Sequence, residues 1–130
     1  MALERFNPAG MPPPISPYVN VVKATGALVF VSGQVAMDAQ GQVVGAGDVA
    51  AQATLAFEHV ERGLLAAGAS FSDVVKVVIY LRNMEDRVRL VPIRARVFGE
   101  ALPTSTIVEV SKLAHPDLLI EIEAVAVIST

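Results

Sequence analysis

Two carboxylates stand one residue apart in Ile120-Glu-Ile-Glu-Ala124, and a strand there would point Glu121 and Glu123 from the same face, about 7 Å apart. In a buried setting, desolvation and mutual repulsion push one of such a pair toward neutrality, which suits it to move a proton near pH 7. The same alternation also describes the solvent face of an amphipathic strand, and Glu109 in Ile107-Val-Glu-Val110 carries the same double meaning. Five of the ten basic residues, Arg82, Arg87, Arg89, Arg94 and Arg96, fall within fifteen positions. They could anchor an anion, but with no aromatic side chains nearby to stack bases they read as a solvated helix face.

Other chemistries lack their residues. The chain has no cysteine and two histidines, His59 and His115, fifty-six positions apart, so neither a structural zinc site nor an H-E-x-x-H helix can be written. No G-x-S-x-G, G-x-G-x-x-G or P-loop pattern occurs, which removes the α/β-hydrolase, dinucleotide and NTPase readings. Ten basic against thirteen acidic residues give a net charge of −3, a field that does not attract nucleic acid. Apolar residues make up 53% and charged residues 18% of the 130, a composition that folds. No apolar run nears the roughly 18 residues that span a bilayer. Glu4, Arg5 and Pro8 interrupt the stretch where a secretory signal would lie, so a soluble, cytoplasmic protein of one domain over 1–130 is expected.

The elements that must position these groups follow from punctuation and period. Five prolines within residues 1–17 predict an extended arm. Tyr18 to Lys23 and Ala27 to Val35, separated by Ala24-Thr-Gly26, read as a β-hairpin. Asp48 is placed to cap a helix whose Val49, Ala53, Phe57, Val60 and Leu64 share one face, with Gln52, Glu58, Glu61 and Arg62 off it, and Gly68 ends it. Val74 to Leu81 is a mostly buried strand. Met84 to Phe98 is a second helix in which Pro92 predicts a kink or a restart at Val91. Thr104 to Val110 and Leu118 to Ile128 are two further strands. The order β-β-α-β-α-β-β predicts an α+β fold with both helices on one face of a sheet. Its strands are apolar on both faces, at Val29, Phe30 and Val31 and at Val77, Val78 and Ile79, more than two helices on one side can cover. The other face needs a partner, for which a homo-oligomer packing sheet on sheet is the simplest solution.

Several motifs together, in order and spacing, resemble the Rid family, the YjgF-like reactive intermediate deaminases formerly labelled L-PSP endoribonucleases. They are Ile15-Ser-Pro-Tyr18, Val31-Ser-Gly-Gln34, Val49-Ala-Ala-Gln-Ala53, Val108-Glu-Val110 and Ile120-Glu-Ile-Glu-Ala-Val-Ala-Val127. The resemblance implies a chorismate-mutase-like fold, a homotrimer, and ligand clefts at subunit interfaces. It implies hydrolysis of short 2-imino and 2-enamino acids to 2-oxo acids and ammonia with no metal or cofactor. Carried over, Tyr18 lines the cleft, Gly33 allows close backbone approach, the main chain of Ile107 helps hold the attacking water, and Glu121 orients that water and manages its proton.

One departure bears on function. Deaminase-type members carry an arginine after the Pro-x step before the Val-Glu-Val strand, where it grips the substrate carboxylate; Leu102-Pro-Thr-Ser105 puts Ser105 there. The implied activity is then Rid-type deamination of an enamine or imine whose carboxylate is absent or held differently, by Lys112 or an arginine from helix two of a neighbouring subunit. The alternatives are a metabolite-binding trimer without catalysis and, on the old family label, a ribonuclease. On this reading Ser105→Arg restores the grip and raises hydrolysis of a simple 2-imino acid.

Overall fold

A computed structural model describes residues 3–129. Its strands are β1 (Leu3–Phe6), β2 (Val21–Ala24), β3 (Ala27–Val35), β4 (Val74–Leu81), β5 (Thr104–Glu109) and β6 (Ile120–Ile128), with helices α1 (Val49–Ala66) between β3 and β4 and α2 (Arg87–Phe98) between β4 and β5. The main sheet has the order β3-β6-β4-β5. Its one parallel pair is β4 with β5, as expected where a helix supplies the crossover. Both helices pack on one face, so the fold is α+β.

Period-two alternation divides β6 between two environments. Ile120, Ile122, Ala124 and Ala126 join Val77, Ile79 and Leu81 of β4 in the core beneath the helices, while Glu121 and Glu123 turn to the opposite face. On the helix side, Phe57, Phe71 and Phe98 meet edge to face with centroids 5.7 to 6.2 Å apart, the arrangement the ring quadrupole favours.

Helix α1 forms as its sequence predicts. Asp48 caps it, its side chain accepting from the Ala51 amide at 3.0 Å, and Gly68 follows its end at φ +81°, a conformation open to glycine. The five spaced apolar residues are buried. Gln52, expected off that face, is buried as well. Its Nε2 donates to the carbonyls of Asp117 at 2.9 Å and Gly45 at 3.3 Å, and its Oε1 accepts from the Leu119 amide at 2.8 Å. A side chain that satisfies three main-chain groups is accepted in a core despite its polarity.

Three further expectations are corrected. The predicted hairpin does not form: β2 pairs with β1, and β3 with β6. The arm therefore contains a strand, Leu3–Phe6, and the element order gains one at its start. α2 runs unbroken through Pro92, with no restart at Val91. The hydrogen bond it forgoes is that of the Val88 carbonyl, and Val88 lies on the exposed side of the helix, 65% exposed. The arm is fastened to the body by Arg5, whose Nε donates to the Leu102 carbonyl at 3.0 Å and Nη2 to that of Ser72 at 2.7 Å, and by the Val19 amide on the Pro103 carbonyl at 3.0 Å.

Candidate functional site

Fastening the arm carries Ile15, Ser16 and Tyr18 over the N-terminal half of β5, where they enclose a cavity of about 270 Å³ with Met84, Arg87, Arg94, Ser105 and Ile107. Register sets which β5 residues reach it: Ser105 and Ile107 stand opposite Val77 and Ile79, on the helix-facing side. Glu109 shares that side and accepts from the Met84 amide at 2.9 Å, so it holds the turn that starts α2 and does not join the other two glutamates.

Arg94 is the group that sequence reasoning missed. Counted among the solvated arginines, it is 1% exposed. Its Nη2 donates to Ser105 Oγ at 2.6 Å and to the Pro17 carbonyl at 3.3 Å, and its Nη1 to Ser16 Oγ at 3.2 Å. Burial holds the guanidinium below its ordinary pKa, with Tyr18 acting the other way. The available signal was spacing: Leu90, Ile93, Arg94 and Phe98 form the buried stripe of α2, with an arginine at an i+4 position normally apolar. Lys112, the other candidate to replace the missing cation, is exposed.

Gly33 and Glu121 lie elsewhere. Glu121 stands opposite Tyr80 of β4 and Val35 of β3 on the sheet face away from the helices, with its carboxylate against Gly33, where a Cβ would collide with Oε2. The irregular register between Val31 and Gln34 shapes the strand there. Beside them Tyr80 donates a short hydrogen bond to Glu123 Oε1. That bond, then desolvation and the charges of Glu123 and Glu121, raise the Tyr80 pKa. Leu28, 62% exposed, and Phe30, 72% exposed, continue this face across β3.

The five residues singled out in the sequence thus fall into two groups, Tyr18, Ser105 and Ile107 in the cavity and Gly33 with Glu121 across the sheet. His59 and His115 take structural roles. His59 Nε2 is 2.7 Å from the Met37 carbonyl and Nδ1 is 3.0 Å from Arg62 Nη1; His115 Nδ1 accepts from the Asp117 amide at 3.0 Å.

A mixed four-stranded sheet with two helices on one face is the architecture of a solved Yersinia pestis protein, YyfB, titled as a member of the conserved Rid family and of unknown function. It superposes with a TM-score of 0.89 at 31% identity over 98% of this chain and 100% of that one. Residues 9–128 match the family model described as Endoribonuclease L-PSP. The chain belongs to that family, the Rid or YjgF-like proteins. It is similar to a RutC family protein of Pyrococcus horikoshii, 41% identical over 88% of this chain and 90% of that protein. It is also similar to the 3-aminoacrylate deaminase RutC of Acinetobacter baylyi, 40% identical over 97% and 98%. Among the described residues no helix is long and apolar enough to cross a membrane.

Proposed function

We propose that this protein is a Rid-type hydrolase that deaminates a small enamine or imine in clefts between the subunits of a homotrimer. The observation that carries this is the division of the candidate residues between two faces of one sheet. The cavity of Tyr18, Ser105 and Ile107 opens beside β5, whereas Glu121 lies two strands away on the opposite face. A single chain cannot bring them to one substrate; two copies can, each lending one group. The apolar face at Leu28 and Phe30 is what such packing would cover. Kinship with a relative named as a 3-aminoacrylate deaminase supports the reaction class.

In that cleft an imine carbon is already electrophilic and needs a positioned water and a proton path. Glu121 accepts a proton as the water oxygen bonds to that carbon. On a protonated imine this gives a neutral carbinolamine; Glu121 returns its proton to the nitrogen, and as the C–N bond breaks the hydroxyl proton passes back to Glu121, so that the carbonyl forms and ammonia leaves. The main chain of Ile107 holds the water and Tyr18 walls the substrate. The test pairs light scattering at micromolar concentration with ammonia release from a freshly generated imine. A trimer mass with release above the solvent rate is expected. A monomer mass overturns the cleft, and a trimer that binds the 2-oxo product but releases no ammonia overturns catalysis in favour of a binding protein.

A further inference from the structure

The buried cation in the cavity lacks an anion. All three hydrogen-bond partners of Arg94, the hydroxyls of Ser16 and Ser105 and the carbonyl of Pro17, are neutral. Among the described residues no carboxylate lies within 4.0 Å of it. A guanidinium carries five N–H donors; three are engaged, and its Nε is buried with no partner. A charge taken from water without its counter-charge is costly to the fold, and an arginine deep in a stripe otherwise made of Leu90, Ile93 and Phe98 calls for a reason beyond packing. The cavity gives one. Its other walls include Tyr18, whose oxygen accepts only weakly, from the Ile15 amide at 3.4 Å, leaving the O–H to donate. Ile15, Met84 and Ile107 add apolar surface, and Arg87 a second cation at the wall. About 270 Å³ is small for a drug-sized ligand and suits an acid of a few carbon atoms.

We propose that Arg94 is the carboxylate anchor of this site, so that a cation from α2 does what the serine at position 105 cannot do. Ser105 then serves as a positioning residue, its hydroxyl holding one side of the guanidinium, while a ligand carboxylate would take the free Nη1 N–H and replace the longer contacts to Ser16 at 3.2 Å and Pro17 at 3.3 Å. A planar fork meeting a planar carboxylate is the pairing to which arginine is suited and lysine is not. The ligand class that follows is a short monocarboxylate, and its being an imino or enamino acid rests on the deaminase reading above.

The test uses the intact protein, 2-oxobutanoate as a stable short acid, and 2-oxobutanamide as its uncharged counterpart. Calorimetry should find the amide at least tenfold weaker than the acid. The Arg94 Nε–H resonance, assigned through its own side chain, should move with the acid and not with the amide. Arg94→Lys should weaken the acid at least tenfold and leave the amide unchanged. Because Arg87 also lines the cavity, the Arg94 Nε–H resonance and the Arg94 variant, and not acid affinity alone, assign the anchor. Ser105→Ala should raise KM for the imine more than it lowers kcat. If the Arg94 variant fails to fold, the resonance and the acid-to-amide ratio decide. Equal binding of acid and amide, no binding of the acid, or acid binding with the Nε resonance unmoved overturns the anchor. Ammonia release with an unmoved resonance defeats the anchor alone, and acid binding at Arg94 without ammonia release defeats the deaminase alone.

Discussion

The Glu121 carboxylate occupies the space that a side chain at residue 33 would need: a Cβ built on Gly33 falls on Oε2 of that glutamate. The glycine is required by this proximity and not by its backbone angles, since Gly33 is absent from the positive-φ positions. Gly33→Ala should therefore displace a flexible carboxylate and little else. Stability should change by no more than about 1 kcal/mol in urea melts, while kcat for imine hydrolysis should fall at least about tenfold as the base leaves its place. A loss of stability with activity retained would place the role of Gly33 in folding.

The two glutamates of β6 should separate by function. Glu121→Gln keeps shape but cannot take a proton, so a drop in kcat of about 10² or more is expected with the oligomer intact. Glu123→Gln retains an oxygen to accept from Tyr80 and should cost little activity. Comparing the kcat of the two variants at matched oligomeric mass checks the assignment.

Tyr80 carries a pH signature. Its pKa is raised in the folded protein, chiefly by its hydrogen bond to Glu123, so the folded state favours the neutral phenol. Stability from this pair is fully present below the ordinary tyrosine pKa of about 10 and is lost as pH rises through the folded value. Tyr80→Phe should flatten the decline of stability above about pH 10, which thermal melts from pH 8 to 11 would reveal.

Gln52→Leu should be among the most damaging near-isosteric changes in the chain. It strands two carbonyls and one amide that Gln52 now serves. With about 1–3 kcal/mol for an unsatisfied buried group, partly relieved by water, a loss of about 2–4 kcal/mol is expected. Equilibrium denaturation gives the figure directly.

Ser105→Arg reverses in expectation once its neighbour is known. From the sequence, an arginine there restores a missing grip. In the fold, Arg94 Nη2 already lies 2.6 Å from Ser105 Oγ, and a second guanidinium would press like charge on like charge in a small cavity. The variant should lose about 2–4 kcal/mol of stability and show no gain in kcat/KM. A rise of about thirtyfold, equivalent to 2 kcal/mol of transition-state binding, would restore the simpler view.

What the sequence made legible was whatever rests on local chemistry. Asp48, Gly68 and the apolar spacing between them define α1 to the residue, and β-branched density defines β4, because caps and periods act within a few positions. Pairing was less legible. Nothing near Ala24-Thr-Gly26 reveals that β2 will prefer a strand from the arm and that β3 will prefer β6, since strand partners are chosen by the whole core. Gln52 and Arg94 were misplaced for a related reason. A polar side chain is accepted inside only when distant groups satisfy it, and Asp117 and Leu119 for one, Ser16 and Ser105 for the other, are unreadable from spacing.

The clasp made by Arg5 has a bearing on when the cavity can exist. Its Nε reaches a carbonyl 97 positions further along the chain, and the wall made of Ser16 and Tyr18 is seated only once β5 is available. At synthesis rates of roughly 5–20 residues per second the early segment waits several seconds on the ribosome before its seat emerges. Contacts of such long separation also close late in folding. A nascent molecule thus has its arm long before it has a pocket, and a ligand that fills the pocket stabilises finished molecules alone.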